Sequence, residues 1–172
     1  MDADAILAAI RGVLLGDLGS VRTIAADTFI DAAVGNDTAR AARANTKPTF
    51  DIELGPARRT NDVGPPDAAQ AMLSVPIRIT LTYPLVATND AADGTERRRV
   101  RALAAEHARD VEAALGWGRN VEVDGDANAT GIIPGGVMPD GAAFVKREDW
   151  AAGVYEVVLP FRARVLETRA VA

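Results

Sequence analysis

Residues 75–83, VPIRITLTY, alternate large apolar side chains with polar ones over most of their length. Residues 155–165, YEVVLPFRARV, largely repeat this pattern, and residues 50–54, FDIEL, show it in a shorter form. Successive side chains of a strand point to opposite faces of a sheet, so each stretch predicts a strand with one apolar face and one polar face. Together the three stretches predict an antiparallel sheet that is covered on one side only.

Two amphipathic helices are predicted beside this sheet. Apolar residues recur at helical spacing over about residues 5–15, and a longer apolar stripe extends from Val100 to Leu115, with Gly116 at the position of a C-terminal cap. Each helix has one apolar side to bury. We therefore expect both helices on the apolar face of the sheet.

Two long segments rich in glycine and proline lack such periodicity, at about residues 55–72 and 118–149. Loops of this length are uncommon in a compact domain unless they bind something or stay mobile. The chain has 172 residues, which suits one domain. The sequence thus predicts a single α+β domain over residues 1–172: a mostly antiparallel sheet, two helices packed on one face and two long projecting loops.

Two prolines fall within predicted strands, Pro76 and Pro160. Proline has no N–H to donate, so each is expected at a sheet edge, at a strand start or at a bulge. Exposed edges invite pairing with another chain, which favours a role in assembly. Trp117 and Trp150 bracket the second long segment and are expected either to anchor its two ends or to belong to the local core.

Composition excludes several functional classes. The formal net charge is −5, which argues against a duplex-DNA-binding protein, and the chain has no cysteine for disulfides or thiolate metal sites. It contains no apolar run long enough for a membrane span, and its acidic start differs from a secretory signal, so we expect synthesis and assembly in the cytoplasm. No cofactor is predicted.

The single histidine limits the catalytic possibilities. His107 lies on the apolar stripe of the second helix, which favours a half-buried structural role. The rival interpretation, a triad with a carboxylate, needs one of the only two serines, Ser20 or Ser74, to reach His107.

Two loop motifs begin like known ligand sites. The run from Asp124 starts like a calcium loop, but Ala129 and Gly135 occupy the positions of the required Gly and Glu, which favours a turn. The glycine-rich run at 131–136 lacks the Lys-Ser/Thr of a phosphate-binding loop.

Arginines form the remaining polar feature. Four of them crowd the first turns of the second helix, where the macrodipole disfavours cations: Arg97, Arg98, Arg99 and Arg101. They are interpreted either as a solvated face neutralised by Glu96, Asp90 and Asp93, or as contacts to carboxylates of a neighbouring subunit or to nucleic acid.

A second basic zone holds Arg40, Arg43, Lys47, Arg58 and Arg59, and the polar face of the last strand holds Arg162 and Arg164. Aromatic residues make up only 5% of the chain, too few to favour single-strand binding by stacking. The candidate subunit or partner contacts are the four helix arginines with Arg58, Arg59, Arg162 and Arg164.

The order of predicted elements resembles the tail terminator (tail completion) proteins of tailed bacteriophages and related gene-transfer particles. The likeness rests on the N-terminal helix, FDIEL at 50–54, a long loop, IRITLTY at 77–83, the second helix and the strand at 155–165. It spans most of the chain and carries no signature motif. The segment at 118–149 is longer than the corresponding connection usual in that family.

The resemblance implies a ring, typically of six copies, that caps the finished tail tube and offers its other face to the head-completion or neck protein. DNA would pass through the lumen without specific binding, the protein would reside in the virion, and no catalytic residues would be needed. Two alternatives remain: another head–tail connector, neck or tube-associated component, and a small α+β enzyme or ligand-binding domain that gathers carboxylates around His107.

Overall fold

The computed structural model describes residues 3–15, 30–31, 48–60, 70–85, 94–115, 137–149 and 151–168. Two helices and seven strands lie in these ranges. In chain order they are α1 (Ala3–Leu15), β1 (Ile30–Asp31), β2 (Thr49–Leu54), β3 (Arg58–Arg59), β4 (Gln70–Pro84), α2 (Thr95–Leu115), β5 (Val137–Pro139), β6 (Phe144–Asp149) and β7 (Val154–Thr168).

The strands form one sheet in the order β1-β2-β4-β7-β5, with β3 also paired to β4 and β6 also paired to β7. Only the short β1–β2 pair is parallel, and every other pair is antiparallel. The predicted α+β class with a mostly antiparallel sheet is confirmed.

The centre of the sheet is the pair of long strands predicted from alternation. Strands β4 and β7 pair without interruption from Gln70 opposite Thr168 to Pro84 opposite Val154. The residues of β4 at odd positions from Leu73 to Tyr83 are all buried. Their even-numbered neighbours lie on the other face, which we call the outer face.

Both helices cover the opposite, inner face, as expected. From α1, Ile6, Ile10 and Leu14 are fully buried in the same cluster as the inner-face residues of β2, β4 and β7. From α2, Val100, Ala104 and Val111 join that cluster. Burying a large aliphatic side chain contributes about 1.5–3 kcal/mol, so these contacts hold the two layers together.

The start of α1 differs slightly from the predicted one. Helix α1 begins at Ala3, so Asp4 lies within its first turn, where a carboxylate still interacts favourably with the helix dipole. Helix α2 begins at Thr95, so Arg97, Arg98 and Arg99 lie in its first turns, as predicted.

The two predicted loops are wrong in part. Residues 55–72 include strand β3 and the start of β4, and residues 118–149 include β5 and β6. Strands β3 and β5 have two and three residues, too few for alternation to appear. Strand β6 is largely exposed, so its sequence lacks an apolar face. Residues 61–69 and 118–136, with Trp117 and Trp150, lie outside the described residues.

Each strand proline lies where the neighbouring strand is interrupted. The last residue of β2 lies opposite Ile77 and the first residue of β3 lies opposite Ser74, so Pro76 faces the gap between these two strands. In that gap the N–H of Gly55 donates to the Pro76 carbonyl at 2.7 Å. Toward the opposite edge of the sheet, Pro160 faces the gap between β5 and β6, and there the N–H of Asp140 donates to the Pro160 carbonyl at 2.9 Å. The missing proline N–H therefore leaves no gap in a regular ladder.

Candidate interaction surfaces

Four arginines share one half of the outer face, and we call this region the arginine face. Arg58 and Arg164 lie opposite Ser74 on its two sides, so the three residues form one row across β3, β4 and β7. The next rows hold Arg162 opposite Pro76 and Arg78 opposite Pro160. Neighbouring strands lie about 4.8 Å apart, so Arg58 and Arg164 are anchored roughly 10 Å from each other. All four side chains are exposed.

Two carboxylates accompany these arginines. Arg162 donates two hydrogen bonds to Asp140, at 2.7 and 3.3 Å. Glu53 lies opposite Arg78 in the β2–β4 register. An exposed ion pair contributes little to folding, so the sheet does not depend on the Arg162–Asp140 pair for its stability.

A shallow cavity of about 280 Å³ lies at the break between β2 and β3. It is lined by Glu53, Leu54, Gly55, Pro56, Arg58, Pro76 and Arg78. A β-carbon at Gly55 would lie 3.1 Å from the Pro76 β-carbon, so glycine permits this close approach of backbone and ring. The cavity belongs to the arginine face and gives it a small depression between two guanidinium groups.

Three arginines of α2 pair with carboxylates of the same chain. Nε of Arg97 and a terminal nitrogen of Arg101 contact the two oxygens of Glu148 at 2.9 and 2.8 Å, which ties α2 to β6. Arg99 pairs with Glu96 one turn away, and these hydrogen bonds lower the pKa of the Glu96 carboxyl. A neutralising role for Glu96 is thus seen directly, while Asp90 and Asp93 lie outside the described residues.

The structure brings together only some of the predicted contact residues. Arg58, Arg162 and Arg164 meet on the outer face, whereas Arg59 lies opposite Leu73, whose side chain is on the inner face. The four helix arginines belong to the other layer. Their role between subunits stays a prediction, and Arg40, Arg43 and Lys47 lie outside the described ranges.

Sequence reasoning missed two residues of these surfaces. Arg78 is on the polar side of the strand at 75–83, so its signal was present in the alternation, but nothing local indicates that β7 lies beside it. Glu148 gave no signal because β6 has no alternating pattern, and its position depends on pairing with β7.

The environment of His107 is that of a packed residue. The Tyr83 hydroxyl hydrogen-bonds to Nδ1 of His107, and the two rings stack. Burial lowers the pKa of His107, against the opposite effect of Asp110 and Glu106. Ser74 is on the outer face and Tyr83 on the inner face, so the predicted alternative of a Ser74–His107 triad is wrong. Ser20 lies outside the described residues.

The exposed side of α2 forms a second shallow surface, which we call the helix groove. It has a volume of about 470 Å³ and is lined by Ala102, Ala105, Glu106, Arg109 and Asp110. The two alanines have no side chain beyond the β-carbon, so the groove is flat enough for another surface to approach the helix closely.

The loop motifs at 124–135 and 131–136 lie outside the described ranges. Within those ranges, no group of three or more His, Cys, Asp or Glu side chains is placed to hold a metal ion. Neither described helix is long and apolar enough to span a bilayer.

No protein-family model matches this sequence, and no curated protein matches it.

Proposed function

We propose that this protein is a structural component of a phage-like particle: a ring of identical copies that caps the tail tube and joins it to the head or neck. The proposal combines the element order that resembles tail terminator proteins with the arrangement of charge on the folded domain. It requires contacts between surfaces and no chemical step.

One observation carries the proposal, the arginine face. Arg58, Arg78, Arg162 and Arg164 lie exposed on one side of a continuous sheet, with only a shallow depression between them. Small-molecule sites are concave and mostly apolar, whereas protein interfaces are broad and enriched in arginine. This surface therefore suits a macromolecular partner better than a substrate.

The packing of His107 supports the same conclusion. Its ring stacks on Tyr83, and burial lowers its pKa, as expected for a group that joins two layers of a core. Serving as a structural contact fits a protein whose activity is assembly.

In the proposed particle, the ring contains several copies, six being typical of the family it resembles. One side of the ring meets the tail tube protein and the other meets a head-completion or neck protein. DNA passes through the lumen without sequence-specific contacts, which agrees with the net charge of −5. The protein would then reside in the virion.

The test uses the full chain with the tube protein encoded by the same genome. Tubes are grown with and without this protein, and their lengths and ends are recorded by negative-stain electron microscopy. We expect a ring at one end of each tube and an arrest of elongation. Tubes that keep growing without end rings would contradict the proposal, and binding to a neck protein alone would identify the alternative connector role.

A further inference from the structure

We propose that the arginine face of one copy binds the helix groove of a second copy, so that copies associate front to back. The inference deepens the proposed function, on which it rests, by naming the surfaces through which a ring would form. Glu106 and Asp110 are the carboxylates that the guanidinium groups would meet.

The arginine face has four guanidinium groups and only two carboxylates. Arg162 is paired with Asp140, but Arg58, Arg78 and Arg164 form no ion pair with any side chain in the ranges that the structure describes. Their guanidinium groups are exposed on a sheet that holds their β-carbons in fixed rows. Arginine matches carboxylates with two parallel hydrogen bonds, so this surface suits an acidic protein partner.

The helix groove supplies such a partner. Glu106 is exposed near the middle of the outward side of α2, and Asp110 follows one turn later. Ala102 and Ala105 leave room beside them for long side chains from another molecule.

Each surface also carries charge of the opposite sign, Glu53 and Asp140 on the sheet and Arg109 on the helix. Complementary mixed charges fix the register of an interface and disfavour wrong pairings. Two arginine faces brought together would repel each other, which opposes a two-fold dimer through this surface.

The two surfaces lie on opposite layers of the domain, because the helices cover the inner face and the arginine face is the outer one. One copy can therefore use both at once. An interface of this head-to-tail kind closes into a ring when the rotation between copies allows it.

A nucleic acid is the rival occupant of the arginine face. The carboxylates of Glu53 and Asp140 within the face, together with the chain's net charge of −5, disfavour a phosphate backbone. The helix groove of a second copy presents two carboxylates to the arginines and also Arg109, which can meet Glu53 or Asp140, whereas a phosphate backbone carries no cation.

The absence of cysteine from the chain allows a direct cross-linking test. Ser74→Cys places one thiol between Arg58 and Arg164, and Ala102→Cys places one in the helix groove, with every charge retained. A short bismaleimide linker is added to each protein alone, to an equal mixture, and to a chain carrying both substitutions.

We expect the mixture to give covalent dimers and the doubly substituted chain to give a ladder of multimers, with little product from either protein alone. Equal yields from the separate proteins and the mixture, or no product from the mixture, would overturn the proposal.

Charge reversal tests the chemistry of the same contact. Arg58→Glu with Arg164→Glu in the Ser74→Cys protein is expected to lower the yield with the Ala102→Cys protein by about tenfold or more. Adding Glu106→Arg and Asp110→Arg to the Ala102→Cys protein should restore the yield. Lys146→Glu is the control, because Lys146 is exposed on β6 near Glu156, away from both surfaces. Circular dichroism and thermal unfolding verify that each variant is folded.

A yield that charge reversal leaves unchanged would overturn the proposal. It would also be overturned by a gel-shift titration in which the unsubstituted protein binds duplex DNA and the Arg58→Glu/Arg164→Glu protein does not, while the cross-linking yield persists. The two proposals fail separately. Normal end rings formed by that double variant would reject these surfaces and leave the tail-capping role intact, whereas multimer ladders without tube capping would do the reverse.

Discussion

Tyr83 of strand β4 joins the sheet to helix α2 through His107: the hydroxyl lies 3.1 Å from Nδ1, and the ring centroids are 5.8 Å apart with the planes inclined by 13°. Tyr155 of β7 lies next to Tyr83, with the two ring centroids 6.3 Å apart. The contact is therefore part of the packing between the helical layer and the two central strands.

The lowered pKa of His107 predicts a pH-dependent stability. A histidine whose pKa is lower in the folded state than in the unfolded state binds its proton preferentially when unfolded, so stability falls as the pH drops below the ordinary value of about 6.5. We expect His107→Gln to remove this component. The measurement is urea unfolding from pH 8 to about 5.

Carboxylates titrate in both proteins over this pH range. The contribution of His107 is therefore the difference between the two slopes of unfolding free energy against pH. Identical slopes for the two proteins over this pH range would show that His107 does not contribute. Tyr83→Phe is the companion variant: it keeps the stacked ring, removes the hydroxyl, and is expected to cost about 0.5–1.5 kcal/mol.

Helix α1 offers a matched pair of core substitutions. Ile10 is fully buried and Leu7 is only partly buried against the same cluster. Ile10→Ala is expected to lower the free energy of unfolding by about 2–5 kcal/mol, and Leu7→Ala by clearly less, because truncation of a buried side chain leaves a cavity. Chemical denaturation measures both. Equal losses would mean that α1 does not pack with the face described.

Glu148 forms ion pairs with both Arg97 and Arg101. It is more buried than either partner, since 21% of its side chain is exposed against 47% for Arg97 and 54% for Arg101. Glu148→Gln is expected to lower the melting temperature because it leaves two neighbouring cations without their carboxylate. The difference should shrink in about 1 M salt, where the screening length is about 3 Å. Glu112→Gln serves as the control, because Glu112 lies on α2, the helix that carries Arg97 and Arg101. A loss that is independent of salt would argue against an electrostatic origin.

The arginines at the start of α2 give a prediction on assembly. They are predicted to meet carboxylates of a neighbouring subunit, a contact separate from the one through the helix groove. Arg98→Glu with Arg101→Glu would repel such carboxylates and prevent ring formation, while the monomer stays folded because both side chains are exposed and neither belongs to the core. Light scattering across a concentration series measures the assembly state. Normal rings from this variant would exclude these two arginines from the subunit contact.

The elements predicted correctly are those with a long periodic pattern. Strands β4 and β7 alternate over many residues, and α2 keeps its apolar stripe from Val100 onward, so each pattern has one interpretation. Strands β3 and β5 are too short to show a period. The side chains of β6 are exposed or only partly buried, so its sequence has no apolar face. These strands exist because β4 and β7 offer them backbone groups to pair with, which is a property of the assembled sheet.

The arginine face was also predicted only in part: three of its arginines were predicted as contact residues, but not that they lie together. Arg162 and Arg164 are visible on the polar side of β7 from sequence alone. Their association with Arg58 and Arg78 depends on contacts between strands far apart in the chain, for which no local pattern exists.

The two strand prolines have a consequence for how the chain can change in length. Around Pro76 and Pro160 the flanking strands stop and restart, so residues 55–57 and 140–143 carry no continuous run of ladder hydrogen bonds. Inserted amino acids at these two points would lengthen a connection on the surface, and the cost of loop closure rises only slowly with length. Homologous proteins could therefore carry longer connections at these two points while the pairing of β4 with β7 stays unchanged.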